Sequence, residues 1–472
     1  MKRTKIICTI GPACSDEQTL TKMLEAGMNV ARLNFSHGTH PEHLERIRLI
    51  KRLRQELNLA VPILLDTKGP EYRIGTFQNH RIHLEDGADF VFTTEVVEGD
   101  ETRVSVSYKN LARDLSAGDT ILVNDGLVKF QVLETTDTEV RCTTLIGGEL
   151  SDRKSMSFPN KVLRQIYLSE QDKQDLLFGI EQDVDFVACS FVSTAQDVID
   201  VREFLNAHGG SDIGLIAKLE NRAGVDNAEE ILSHCQGLMV ARGDMGVEIP
   251  YVELPAIQKR LITMCRLKGG LAITATEMLE SMISKPRPTR AEISDVANAV
   301  FDGTSAVMLS GESAAGKYPV EAVRAMASIA EEAEKNIDYV ERFETQIFHF
   351  RNNNDALSHS ACQLAIDTNA TCIVATTRTG RMGRLVCRFR PPMPIIGLTS
   401  SEKAYRQLAL SWGVLPVMVD EFNSTEVLFY HAVLVARQMG LAAKGDTVVV
   451  TGGITNGKSG NSNTIKVETL TK

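Results

Sequence analysis

Eight short apolar runs, each breaking off abruptly into polar or charged residues, constrain this 472-residue chain more than any other feature. TKIICTIG, NVARLNF and VPILLD come first, separated by helical patterns predicted from Glu17 to Ala26 and from Pro41 to Leu57. VDFVACSF, IGLIAKLE, GLMVARGD, GLAITAT and TSAVMLSGE follow LSEQDKQDLLFGIEQ, again with helical segments between them. Strands that are apolar on both faces belong to parallel sheets covered by helices on each side. A doubly wound sheet can hold eight such strands. Polar residues at so many strand ends favour a closed (β/α)8 barrel, the TIM-barrel architecture, whose active sites lie at those ends.

The rhythm breaks once. Between Gly69 and about Lys161, alternating segments such as VFTTEV, RVSVSY, TILVNDG, KFQVLET and EVRCTTL are punctuated by EDGAD, SAGD and NDG turns. They predict an all-β insertion, a barrel or sandwich, after the third strand. LSAGDTILVNDG combines a turn, a strand and a hairpin turn. Charged helices run to about residue 350, RNNNDA reads as a linker, and ATCIVATTRTG, PIIGLTS, GVLPVMV and DTVVVTGG form a βα series of their own. The expected division is residues 1–69 and 169–345 for the barrel, 70–168 for an inserted β-barrel lid, and 346–472 for a C-terminal α/β domain.

Composition removes several function classes. The formal net charge is -10 and no long basic block occurs, so a nucleic-acid backbone is not an expected partner. No apolar run reaches the roughly 18 residues of a membrane span. MKRTKIICTIG is basic and then only briefly apolar, which suits a first buried strand better than a secretion signal. Nine scattered cysteines without a CxxC pair point to reduced thiols in a cytoplasmic protein.

The strand ends carry the chemistry. IAKLEN ends one strand with Lys218 and Glu220, and VARGD puts Asp244 beyond the next. One such acid alone is more often a helix cap. Two on consecutive strands beside a lysine suit Mg2+ or Mn2+, with a cation aimed at developing negative charge. The second strand offers Arg32, Asn34, Ser36 and His37. Arg32 suits a phosphate or carboxylate; Asn34 and Ser36 are neutral oxygen donors for a hard monovalent cation, or ordinary helix caps. Asp66 and Thr67 end the third strand, with Glu71 and Arg73 at the exit to the insertion. Thr276 tips the seventh strand, Met278 and Met282 read as core, and Arg287 and Arg290 form an ionic clasp or an interface. GESAAGK lacks the hydroxyl residue of a Walker loop because Tyr318 follows its lysine. His37, His208 and His359 have no zinc-site spacing. Thr376–Arg381 and Gly452–Asn463 are hydroxyl- and glycine-rich turns able to nest an anion.

Taken in order, RLNFSHG, LLDTKGPE with Arg73, KLEN, ARGDMGVEIP, KPRPTRAE with SDVANAV, and DGTSAVMLSGESAAGKYP resemble the signatures of the pyruvate kinase family over essentially the whole chain. The resemblance implies phosphoryl transfer from phosphoenolpyruvate to ADP, giving pyruvate and ATP in the last step of glycolysis. It implies Mg2+ or Mn2+ on Glu220 and Asp244, and K+ on Asn34, Ser36, Asp66 and Thr67. Arg32, Arg73 and Thr276 would contact substrate or phosphate, Lys218 would stabilise the transferring phosphoryl and the enolate, and the peptide around Gly243 with Asp244 would position substrate. Asn34, Phe35, Ser36, His37, Arg73 and Lys154 resemble nucleotide contacts. Glu71 matches the acidic residue of K+-dependent members. The C-terminal domain resembles a regulatory one, with a phosphorylated sugar held by Thr376, Thr377, Thr379 and Arg381 under the Gly452–Asn463 loop. A homotetramer is the family expectation. Three positions depart from the family pattern: Glu277, Tyr72 and Ala223. The rival readings are a metal-dependent aldolase or related lyase, and a catalytically silent metabolite sensor.

Overall fold

The computed structural model describes residues 2–159, 161, 163–164, 166–422, 424–453 and 462–471. Eight parallel strands close into a barrel: β1 (Lys5–Thr9), β2 (Val30–Asn34), β3 (Ile63–Asp66), β4 (Phe186–Cys189), β5 (Gly214–Leu219), β6 (Gly237–Ala241), β7 (Leu271–Ala275) and β8 (Ala306–Leu309). Each pairs with its sequence neighbours, and β8 returns to β1 with Lys5 opposite Ala306. The closed barrel is thus the observed alternative. The early helices fall where expected. Glu17–Glu25 is capped by Asp16, and His40–Glu56 starts one residue earlier than predicted because Thr39 and Glu42 form a capping box before it.

The strand period explains why the strand ends are polar. Val30, Leu64, Ala188 and Ile216 lie in the inner barrel core, whereas Ala31, Leu65, Cys189 and Ala217 pack outward against the helices. Side chains two apart share a face. Arg32, Asp66, Ser190 and Lys218 therefore continue the inward series one step above the apolar layer.

The insertion forms a seven-stranded sheet in the order Tyr72–Arg73, Ser155–Ser157, Thr120–Val123, Val128–Thr135, Glu139–Ile146, Asp89–Thr93 and Arg103–Ser105. Its edges meet. Ile74 bridges Val106, and the Ser107 N–H donates to the Arg73 carbonyl at 2.9 Å. That contact curls the sheet around Phe90, Phe92 and Phe130 and brings its two edges together. The predicted hairpin turns through Asn124, Asp125 and Gly126, all at positive φ. A separate ribbon, Arg81–Leu84 with Gly148–Ser151, was not anticipated.

The last part is a five-stranded sheet whose first four strands are the predicted ones: Cys372–Thr376, Ile395–Thr399, Val414–Met418 and Thr447–Gly453. The fifth, Ser462–Thr469, adds antiparallel at an edge. RNNNDA is not wholly linker, because Asn352 caps a helix over Asn353–Asp367. This domain closes the lower mouth of the barrel. Leu410 is fully buried in the inner barrel core, and the Lys5 ammonium donates to the Val414 carbonyl at 2.8 Å.

Candidate active site

At the upper mouth, Asp66 organises two cations. Its Oδ2 accepts the Arg32 Nε proton at 2.6 Å, and its Oδ1 accepts from the Lys218 ammonium at 3.0 Å. Arg32 also donates to the Thr9 hydroxyl at 2.8 Å. Burial alone would push the Asp66 carboxyl up, but Arg32 and Lys218 outweigh it and hold it below the usual carboxylate range. Burial likewise opposes the Lys218 charge, yet Asp66 and Glu220 hold that ammonium above its ordinary value. The lysine is a fixed cation at neutral pH.

Glu220 behaves differently. It is 2% exposed, its Oε2 accepts the Phe191 N–H at 2.5 Å, and its Oε1 lies 3.0 Å from the Lys218 nitrogen. Burial raises its carboxyl to about 7; Lys218 opposes that rise and Asp244 adds to it. Oε1 has no hydrogen-bond donor. Asp244, exposed in the first turn of the helix Arg242–Glu248, follows the adjacent β6. A buried carboxylate oxygen without a donor, with a second carboxylate lining the same cleft, fits a divalent cation. Among the described residues no group of three or more His, Cys, Asp or Glu side chains gathers for a metal, so other ligands would come from substrate and water.

Thr276 caps β7 in a left-handed conformation (φ 65°), followed by Glu277 at φ 53°. Two successive non-glycine residues at positive φ are strained, and such strain clusters at functional sites. Arg242 holds the turn: Nη2 donates to the Thr276 carbonyl at 2.6 Å while Nη1 grips both oxygens of Asp295 at 2.7 and 2.6 Å. The Thr276 hydroxyl accepts the Gly243 N–H at 2.7 Å. Glu277 is exposed beside this turn.

A cleft of about 410 Å³ opens between the barrel and the insertion, lined among others by Glu71, Arg73, Lys154, Glu220, Asp244 and Glu248. Arg73 is paired with Glu71 and donates to the Arg153 carbonyl at 2.6 Å. Tyr72 lies edge-on to Tyr108 and Phe158, so this departure packs in the hinge of the insertion. Ala223 sits in the helix Arg222–Asp226.

Not every predicted residue comes to the cleft. Asn34 stands opposite Asp66 in register, but its side-chain oxygen accepts the Ser36 N–H at 3.1 Å. The Thr67 hydroxyl is committed to the Ala188 carbonyl and the Ser190 N–H. Ser36 and His37 are exposed at the tip of β2, whereas the Phe35 ring is buried against His43 at 4.1 Å. Arg287 and Arg290 are exposed and form no ion pair among the described residues; the clasp in that region is Arg242–Asp295. Met278 and Met282 are core. Sequence reasoning passed over Ser190, Thr9 and Arg242. The first two were discoverable by counting two residues on from Ala188 and Ile7 of the inner layer.

In the C-terminal domain, Thr379 lines an open pocket of about 600 Å³ with Arg378, Ser400, Ser401, Asp420 and Glu421. Thr376 is buried, with its hydroxyl donating to the Thr451 carbonyl at 3.4 Å. Thr377 accepts the Met382 N–H at 3.4 Å, and Arg381 is exposed. Residues 454–461 of the Gly452–Asn463 turn lie outside the described residues.

Comparison with known proteins gives a consistent result. The family model for the pyruvate kinase barrel domain matches residues 1–323, and that for the pyruvate kinase alpha/beta domain matches 355–468. A pyruvate kinase of Clostridium acetobutylicum is 46% identical over 473 residues, covering the whole of both chains. One of Geobacillus stearothermophilus is 45% identical over 472 residues, covering 99% of this chain and 80% of that protein. A crystal structure of a pyruvate kinase from Cryptosporidium parvum matches with a TM-score of 0.95 at 36% identity, covering 99% of this chain and 96% of that one.

Proposed function

The chain belongs to the pyruvate kinase family and is a phosphotransferase, and from that premise we propose that it transfers the phosphoryl group of phosphoenolpyruvate to ADP, releasing pyruvate and ATP as the last step of glycolysis. The observation that carries the reading is the pairing of a fixed ammonium, Lys218, with a buried carboxylate, Glu220, that keeps one oxygen free of donors beside the cleft. An enolate-forming lyase would share those groups, but it has no need of a second anionic substrate, and family membership favours the kinase.

Arg32 and Lys218, held side by side by Asp66, receive the negative charge of the phosphoenolpyruvate phosphate and carboxylate. The ester P–O bond breaks as a bond forms from phosphorus to a terminal phosphate oxygen of ADP, and the electron pair stays on the enolate oxygen. Lys218 stabilises that charge where it develops, which is worth most in a buried site. The enolate carbon then takes a proton, delivered by water that donates to the remaining lone pair of the Thr276 hydroxyl, whose own proton goes to the Ala275 carbonyl. Arg73 and Lys154, on the insertion, neutralise nucleotide phosphates together with the Asn34–His37 segment. The Phe35 ring takes no part because it is packed inside.

Glu220 and Asp244 would hold Mg2+ or Mn2+, which supplies Lewis-acid neutralisation of phosphoryl and enolate oxygens. Asn34, Ser36, Asp66 and Thr67 would hold K+, the Thr67 hydroxyl and carbonyl each keeping one lone pair beyond their present hydrogen bonds. A phosphorylated sugar activates the enzyme through the pocket at Thr379, with Thr377 and Arg381 beside it; the buried Thr376 supports the sheet. The active form is a cytoplasmic homotetramer.

One coupled assay tests the core of this. Pyruvate and ATP are expected in equal amounts from phosphoenolpyruvate and ADP, only with a divalent metal, and faster with K+. Absence of ATP under every ion combination overturns the assignment, and indifference to K+ overturns only the monovalent part. A panel of sugar phosphates should lower the KM for phosphoenolpyruvate; no response rejects the effector.

A further inference from the structure

Ser190 lies one residue past β4 and is 1% exposed. Its hydroxyl oxygen accepts a proton of the Lys218 ammonium at 2.7 Å, while its own proton is shared between the Thr67 carbonyl at 2.6 Å and Asp66 Oδ1 at 3.1 Å. The Ser190 backbone is fixed as firmly as its side chain. Its N–H donates to the Thr67 hydroxyl at 3.2 Å, and its carbonyl accepts the Tyr167 hydroxyl at 2.7 Å. Gly69 presses on it from above at φ 67°, where an added Cβ would come within 2.8 Å of the Ser190 carbonyl oxygen.

An ammonium carries three protons on a freely rotating head. Asp66 and Ser190 each accept one in a hydrogen bond. The remaining contact, with Glu220 at 3.0 Å, is an ion pair without a hydrogen bond. Glu220 is also the partner that lines the cleft. Two acceptors therefore fix the rotation of the head and leave its third N–H without an acceptor, beside the Glu220 carboxylate that lines the cleft.

We propose that Ser190 is a positioning residue which, through its hydroxyl, fixes the Lys218 ammonium so that one N–H is presented to the reacting oxygen. The inference rests on the reading of Lys218 as the group that stabilises phosphoryl and enolate charge. A geometric constraint on one N–H acts mainly on turnover, because the charge it meets is largest in the transition state.

Ser190→Ala, Ser190→Cys and Ser190→Thr separate the hydroxyl from the volume. Labelling of Lys218 at alkaline pH by an amine-directed acylating reagent, followed by mass spectrometry on the full enzyme, reads how readily the head leaves its acceptors and gives up a proton, without reference to activity. Ser190→Ala and Ser190→Cys should label several times faster than the parent, and Ser190→Thr should stay near it. Turnover should fall about tenfold in the Ala and Cys variants with KM for phosphoenolpyruvate little changed, the scale of one charge-assisted hydrogen bond. Placed on Lys218→Met, Ser190→Ala should add no further loss. Unchanged labelling in both the Ala and Cys variants overturns the proposal whatever happens to turnover, and native-like labelling in the Cys variant alone shows that volume was what mattered and overturns it too. Faster labelling with undiminished turnover leaves Ser190 as the positioning residue and removes Lys218 from the chemistry.

Discussion

The two mouths of the barrel both bury carboxylates against cations, and they use them in opposite ways. At the lower mouth Asp185 is fully buried: Oδ1 accepts from Arg406 Nε at 2.7 Å and Oδ2 from the Ile63 N–H at 2.8 Å. Arg406 also reaches Asp183 at 2.7 Å, and Lys403 joins that carboxylate at 2.6 Å. Both oxygens of Asp185 are occupied, and Leu410 is buried in the inner barrel core. At the upper mouth Asp66 also accepts on both oxygens, but Glu220 keeps an oxygen without a donor and Asp244 is exposed. A closed set of charges ties two domains together; a set left one partner short has an affinity for something that is not protein. The same burial produces a clasp below and a reaction site above.

The contrast yields an ordered set of outcomes. Arg406→Met leaves Asp185 buried with Arg54, 3.7 Å away, as its remaining ion-pair partner among the described residues. Removing one partner of a buried pair costs about 3–5 kcal/mol, so thermal or urea unfolding should show a loss of that order while kcat and KM hold. Lys218→Met should do the reverse. Turnover is expected to fall by about 10²–10³, the scale of one lost oxyanion donor, with a smaller drop in melting temperature than Arg406→Met gives. Equal destabilisation by the two would break the contrast. Arg242→Lys keeps the charge but loses the fork that holds Asp295 and the Thr276 carbonyl; steady-state kinetics should show roughly a tenfold fall in turnover as the strained turn relaxes.

The smallest effect belongs to Asp183. Burial opposes its charge, but Lys403 and Arg406 outweigh that and hold its carboxyl below the ordinary value. A depressed folded value means stability that is present above the unfolded value and lost as pH falls through the folded one. Asp183 is half exposed, so solvent screening limits the gain to about 1 kcal/mol or less. The melting-temperature gap between the parent and Asp183→Asn should therefore exist at pH 7 and close below about pH 4. A gap that widens in acid would contradict the assigned sign.

Much of this was readable in advance, and the misses have physical causes. Eight doubly covered strands announced themselves because burial on both faces leaves no polar residue inside the run, and the polar break after each marked its end. The insertion was visible because period-two alternation replaced continuous apolarity. The edge strand Ser462–Thr469 escaped because its alternation, SNTIKVET, is polar enough to pass for loop. RNNNDA looked like a linker because asparagine serves helix caps as readily as coil. Phe35 and Thr376 sit within motifs whose neighbours are exposed, and only packing against His43 and the Thr451 carbonyl shows that their side chains are withdrawn.

The sequence by itself determined the alternation of strands and helices, the place of the insertion, and the residue types at the strand tips, since these follow from local periodicity and from which side chains tolerate burial. Tertiary structure decided which of those tips share one charge network. Asp66, Ser190 and Lys218 are separated by more than a hundred residues end to end, yet closure of the barrel sets them within hydrogen-bonding distance. Whether a buried carboxylate ends saturated, as Asp185 does, or one partner short, as Glu220 does, depends on what the rest of the chain brings against it, and no local pattern encodes that.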